Sequence, residues 1–291
     1  MTPPGNERLD RIRAYLAGSV TVTTPRDAAT VVLLRDSAAG PEVYLLRRPA
    51  TMAFGAGMHV FPGGSVDKGD AEGNFGWEGP APRRWAETFS CSEPLARAMV
   101  CAAVRETFEE SGVLLAAAPD GELVRGTTGD EWENDRVDLI SGALSFGDFL
   151  SRRSLVLRAD LLRAWSHWIT PEWSPRRFDT RFFVAALPAG QQTRNLGGEA
   201  DKVAWMPVAQ AFADYREGTL EMMVATGSTL RDLAAHDDVL SILRAERVVT
   251  PILIRPVADG AEVQLVYDTS ERSVPTSELV RPVDRRATSG T

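Results

Sequence analysis

The chain has 291 residues, 44% hydrophobic and 25% charged, the composition of an ordinary soluble globular protein able to bury a sizeable core. Its formal net charge of -8 argues against nonspecific binding to nucleic acid or to anionic membrane surfaces. Cys91 and Cys101 are the two cysteines, which excludes a disulfide framework and a cysteine-rich zinc site. No apolar run approaches the roughly 20 residues of a membrane span, and neither end carries a targeting pattern, so the cytoplasm is the expected compartment.

In chain order, a helix of mixed charge is expected over residues 6–17. Two strands rich in Val and Leu follow at 28–34 and 42–48, joined through turn-forming residues 36–41 as a hairpin or adjacent pair. Residues 54–64 then hold four glycines and Pro62, the mark of a special backbone path. From 68 to 93 the sequence reads as one long loop with Trp77 and Trp85 inside it, and an uninterrupted loop of that length is commonly functional. Residues 94–104 are helix formers, apolar on nearly every side, and that helix should run on until Gly112 breaks it.

Beyond it, a short strand is expected at 113–117 and a mostly helical stretch at 130–168, with Phe149, Leu150, Leu161 and Leu162 buried. The aromatic run at 177–187 is the clearest later strand, followed by a strand at 203–206 and helices at 208–216 and 229–245. A hairpin of 248–254 with 262–267, turned at Asp259 and Gly260, closes the pattern, and the last twenty or so residues read as a loose tail. Strands mixed with helices, without internal repeats, indicate an α/β or α+β protein.

The most informative segment is Arg105-Glu-Thr-Phe-Glu-Glu-Ser-Gly-Val113. On a helix, Glu106, Glu109 and Glu110 stand at i, i+3 and i+4 and share one face, where like charges repel. Taken alone, such acids fit a solvated helix face. Following an apolar helix, they fit better a site for a hard divalent cation such as Mg²⁺, which takes several carboxylate oxygens together with substrate phosphates.

Joined to the glycine loop, this segment resembles the signature of the Nudix hydrolases, G-x5-E-x7-R-E-U-x-E-E-x-G-U with U aliphatic. Gly64 fits the first glycine, and Arg105, Glu106, Glu109, Glu110, Gly112 and Val113 fit the second half in register. Asp70 stands where the pattern has Glu, Thr107 replaces an aliphatic residue, and 34 residues (71–104) fill a spacer of 7. The motif-19 type coenzyme A diphosphatase subgroup is similar in carrying an insertion there, and in segments like Trp168-Ile-Thr-Pro171 and Arg177-Phe-Asp-Thr-Arg-Phe-Phe183.

The resemblance implies an α+β fold of the Nudix type, an α/β/α sandwich around a mixed sheet, with extra helices and a C-terminal hairpin. Its implied limits are an N-terminal extension over 1–25, a Nudix domain over 26–250 with its box at 63–113 and an insertion at about 71–97, and a hairpin and tail over 251–291. It further implies Mg²⁺ or Mn²⁺ held by Glu106, Glu109, Glu110 and the carbonyl of Gly63, with Arg105 orienting a helix glutamate and Glu109 catalytic. Glu199 resembles the family's distal acid, a ligand or general base, and a solvated loop acid fits it equally.

Arg47, Arg48 and Gly64 are the substrate-side candidates, arginine being suited to bidentate phosphate contacts. The implied reaction hydrolyses a small-molecule diphosphate: coenzyme A or acyl-coenzyme A, giving 3′,5′-ADP and a 4′-phosphopantetheine fragment. A dinucleotide, a nucleotide sugar, or nucleotide binding without cleavage are the alternatives. Ala53 occupies the place of a second arginine in the coenzyme A pattern. No nucleic-acid or membrane partner is expected, and a homodimer is left open. His59 is read as structural, Trp77 and Trp85 as packing residues, and Asp179 as an acid needing a backbone or arginine partner.

Overall fold

Valine, leucine and threonine fill Arg26–Ser37 (β1), and its residues from Val31 to Leu34 are buried without exception, as befits a strand covered on both faces. In the computed structural model, which describes residues 4–49, 55–194, 202–259, 262–269 and 272–275, β1 lies at the centre of the main sheet. Gly40, at φ +95, turns the chain back into Gly40–Arg47 (β2), antiparallel to β1 from Leu34 opposite Val43 onward. The expected hairpin is present, as is the first helix, Pro4–Leu16 (α1).

The chain continues through His59–Val60 (β3), Gly63–Ser65 (β4), a 3-10 turn at Lys68–Ala71, Gly76–Glu78 (β5), Pro82–Phe89 (α2), Glu93–Ser111 (α3) and Ala116–Ala117 (β6). Then come Asp130–Ser141 (α4), Phe146–Arg152 (α5), Val156–Arg158 (β7), a turn at Ala159–Leu161, Arg163–Ile169 (β8) and Phe178–Ala186 (β9). The last elements are Lys202–Pro207 (β10), Val208–Glu217 (α6), Val224–Leu233 (α7), Val239–Arg244 (α8), Pro251–Asp259 (β11), Glu262–Thr269 (β12) and Arg272–Pro275 (β13).

Among the described residues the main sheet runs β10-β2-β1-β9-β8-β11-β12-β13, with β3 attached to β2 and β4 to β1. The β1–β9 and β8–β11 pairs are parallel and the rest antiparallel, so the sheet is mixed. Alternation along β1 sends Ala29, Val31 and Leu33 to one core with α2, α3 and α5, and Val32 and Leu34 to a second core with α1, α6, α7 and α8. This is the expected α+β sandwich. A small second sheet, β5-β7-β6, borders the first core. No described helix is long and apolar enough to cross a membrane.

Four expectations are corrected. Residues 68–93 are not a continuous loop: Pro82 opens α2, whose Trp85 and Phe89 are one helical turn apart and both buried. The stretch 130–168 is helical only to Arg152, because Leu155 to Ile169 bury side chains at spacings that fit a strand as well as a helix. The helix expected over 229–245 is two, since Asp238 caps α8 by accepting from Ser241 N–H at 2.6 Å. The start of the supposed tail, Arg272–Pro275, pairs with β12.

Phe183 on β9 carries α2, taking the rings of Trp85 and Phe89 edge-on at 5.5 and 5.3 Å. Phe183→Ala is expected to destabilise the fold by about 3–5 kcal/mol, read as a lower urea midpoint at unchanged slope.

Candidate active site

The acidic helix α3 is a helix for local reasons. Ser92 caps its start by accepting from Leu95 N–H, and Pro94 sits in its first turn. Gly112 ends it in the left-handed conformation at φ +74. Between the caps, Ala96 and every residue from Ala98 to Arg105 are buried, so the helix is a core element and its acids do not lie on a solvated face.

The other half of the site is β4, laid antiparallel on β1 with Gly64 opposite Ala29 and Gly63 opposite Thr30. A Cβ on Gly63 would lie 2.5 Å from the Ala29 carbonyl oxygen, and one on Gly64 would lie 2.4 Å from Glu106 Oε1. The two glycines therefore let a strand pass between β1 and the glutamate without a side chain on either side. Gly63 N–H donates to Glu110 Oε2 at 2.8 Å, tying strand to helix.

Arg105 is buried at the junction, and all five of its N–H donors are engaged. Its Nε and Nη2 donate to the two oxygens of Asp70 at 2.8 and 2.9 Å, a bidentate pair, and Nη2 also donates to the Ser65 carbonyl at 3.0 Å. Nη1 takes Oε1 of Glu106 at 2.9 Å and Oε1 of Glu109 at 3.2 Å. One guanidinium thus faces three buried or nearly buried carboxylates, with Asp67 a fourth at 3.6 Å.

The burial of these groups shows in their proton affinities. Burial raises the Asp70 and Glu109 carboxyls above the usual range in spite of Arg105, which pulls both down. Burial pushes Glu106 up to about 8, with Glu109 adding to the rise and Arg105 opposing it. Burial also raises the Tyr44 phenol, and the nearby Glu110 charge raises it further.

Past Glu109 the helix carbonyls have partners from distant segments. Arg136 Nη1 donates to Glu109 O at 2.8 Å, Arg194 N–H to Ser111 O at 2.9 Å, and Thr127 Oγ1 to Gly112 O. Two arginines thereby sit at the negative end of the helix dipole. Arg194 packs so close that a Cβ on Gly112 would lie 2.8 Å from its Nε, and its own carbonyl accepts from Tyr44 Oη at 3.1 Å.

Of the residues expected from sequence, Gly63, Gly64, Arg105, Glu106, Glu109 and Glu110 come together. Arg47 reaches the glycine loop, its Nε making a long contact of 3.4 Å to Gly57 O, while the main chain of Arg48 pairs with Met58 and Gly57. Glu199 and Ala53 lie outside the described residues. Asp179 has the partners it needs in Arg181, at 2.9 Å, and His167. Trp77 donates to Pro80 O, and Trp85 is core. Asp70 is not among the expected site residues, although its place six residues past Gly64 is the available signal. Tyr44, Arg136 and Arg194 carry no local signal at all.

The donor set suits a hard divalent cation: Glu106, Glu109 and Glu110 offer carboxylate oxygens, Gly63 a carbonyl, and the buried carboxylates outnumber the cation that faces them. Among the described residues no three acids converge on one point, because the Arg105 guanidinium stands between Asp70, Glu106 and Glu109, and Glu110 turns to Gly63.

Residues 83–226 match the family model described as the NUDT19 Nudix domain. An acyl-coenzyme A diphosphatase NUDT19 of Xenopus laevis is 28% identical over 208 residues, covering 60% of this chain and 55% of that protein. A putative nudix hydrolase 7 of Caenorhabditis elegans is 32% identical over 167 residues, covering 57% of this chain and 46% of its own length. The chain therefore spans about half the length of the curated relatives it matches. Among solved structures, a NUDIX hydrolase of Alicyclobacillus acidocaldarius superposes with a TM-score of 0.65 at 28% identity, over 78% of this chain and 99% of that one.

Replacing Arg105 by Met leaves its buried carboxylates without their counter-charge. Arg105→Met is expected to cost about 3–5 kcal/mol in chemical denaturation, well above what an exposed ion pair contributes.

Proposed function

The chain belongs to the Nudix hydrolase family, and on that premise we propose that it hydrolyses the diphosphate bond of a nucleoside diphosphate linked to a second moiety. The substrate class that fits best is coenzyme A or an acyl-coenzyme A, cleaved to 3′,5′-ADP and a 4′-phosphopantetheine fragment. The observation that carries the reading is the joining of both halves of the signature, Gly63 and Gly64 with Arg105, Glu106, Glu109 and Glu110, at one buried site. The name of the Xenopus relative and the match to the NUDT19 domain support the choice of substrate.

In this reading Glu106, Glu109, Glu110 and the Gly63 carbonyl would hold Mg²⁺ or Mn²⁺ once they converge on it. Such a cation supplies charge neutralisation at the diphosphate and lowers the pKa of water. Arg105 fixes which oxygens of Glu106 and Glu109 are engaged by taking Oε1 of each, and Asp70 fixes Arg105 in turn. Gly64 leaves the Glu106 carboxylate room beside the strand, where any side chain would displace it. Arg47 and Arg48, at the glycine loop, bind substrate phosphates, and the role assigned to Glu199, which lies outside the described residues, is that of a further ligand or general base.

Purified protein with Mg²⁺ or Mn²⁺ is expected to convert coenzyme A to the two phosphorylated products, identified by mass, and to lose this activity on chelation. Glu109→Gln should lower kcat by about 10²–10⁴-fold while the protein stays folded, the range set by losing one positioned charged group. No turnover of any member of a broad diphosphate panel with either metal overturns the proposal, and tight nucleotide binding without cleavage would identify a sensor instead.

A further inference from the structure

Helix α5 and the stretch that follows Asp70 meet at two glycines. A Cβ on Gly147 would lie 2.7 Å from the Glu72 carbonyl oxygen and 3.2 Å from Gly73 Cα. Gly73, at φ +97, could not readily carry a side chain either, and its own Cβ would lie 3.1 Å from Gly147 Cα. Glu72 is the residue that closes the 3-10 turn, its N–H donating to Gly69 O at 3.1 Å, and Asp70 lies within that turn. Two side chains hold the same stretch from other directions. Arg97 on α3 donates to Gly73 O at 3.0 Å and covers the Phe75 ring at 4.5 Å, and Ser151 on α5 donates to Asn74 O at 3.3 Å.

Helix α5 is itself fastened to the acidic helix. Phe149 stacks on Phe108 of α3 at 5.3 Å, and Phe146 stacks on Phe149 at 5.8 Å. The contacts close a ring: Phe108 to Phe149, α5 to Gly147, Gly147 to Glu72, the turn to Asp70, and Asp70 back to Arg105, three residues before Phe108. An arginine side chain has several rotatable bonds, so a bidentate pair holds it in one place only when the carboxylate is itself fixed. Within the helix, Glu106 and Glu109 both hang from Nη1 and cannot fix the guanidinium plane; Asp70, which takes Nε and Nη2, can.

We propose that the stretch following Asp70, backed by α5, is a brace that positions Arg105, and that Gly147 is the contact through which α5 holds it. The long spacer between the two halves of the signature thereby gains a role in the site without touching substrate. Gly147 and Arg97 are positioning residues, and only the kinetic part of their test rests on the diphosphate reading.

The direct readout is hydrogen exchange at Arg105 Nε–H, followed by NMR and assigned by its loss in Arg105→Lys. Gly147→Ala is expected to speed that exchange by about tenfold or more through local opening, while the slowest amides of β1 and β9 keep their rates. Arg97→Met, which removes one tether without adding bulk, should act in the same direction and decides the matter if Gly147→Ala does not fold. Gly126→Ala is the control, since a Cβ there meets nothing within 4 Å. In the kinetic arm, both brace variants should raise the Mg²⁺ concentration for half-maximal turnover of coenzyme A with substrate KM unchanged. Unchanged Arg105 exchange in both variants overturns the brace. Absence of turnover in the unsubstituted protein overturns the diphosphate reading and leaves the exchange result to judge the brace alone.

Discussion

Everything at the acidic site depends on one guanidinium that has no donor to spare. Arg105 joins three separate stretches of chain: the Ser65 carbonyl on the glycine strand, Asp70 in the turn beyond it, and two glutamates on its own helix. In a poorly solvated interior such a network is costly to leave incomplete, and the same low dielectric strengthens each bond that is made. The repulsion between acids at i+3 spacing is held in check by a cation on the same helix turn. Burial nevertheless raises Glu106, with the neighbouring Glu109 charge adding to the rise.

The environment of α3 serves that charge at a second level. A helix ending in acids places its negative dipole end where negative charge is already crowded, and this would weaken both the helix and the site. Arg136 and Arg194 approach the last turn from segments 27 and more residues away and meet its carbonyls through a side chain and a main-chain N–H respectively. Thr127 takes the carbonyl of Gly112. The helix end is therefore satisfied by partners that also draw distant parts of the chain together.

How much of this was legible in the sequence depends on distance along the chain. Glu106, Glu109, Glu110 and Gly112 could be placed because helix geometry fixes neighbours three and four apart, and Gly63 and Gly64 because the resemblance to the Nudix signature aligns them. The central strands were legible from their Val and Leu content. Trp85 and Phe89 carried a helical spacing that the Gly and Pro residues before them concealed, and the apolar residues after Arg152 satisfied two periods at once. Asp70 was visible as an acid at a family position, but its grip on Arg105 is a contact across 35 residues. Tyr44, Arg136 and Arg194 reach the site only through tertiary packing, which no local pattern encodes.

The spacer enters the chain after Asp70, and the place matters for its entropy. Closing a flexible segment costs free energy that grows only with the logarithm of its length, so 34 residues in place of 7 add about 1.4 kcal/mol. Trp85 and Phe89 of α2 pack against Phe183, so the added residues are anchored to the first core rather than left as an open loop. The pairing of β4 with β1 is complete before the added residues begin, so the register of the glycines on β1 does not feel their number. A chain built this way can lengthen by whole elements at that point while the spacing between glycine strand and acidic helix stays constant.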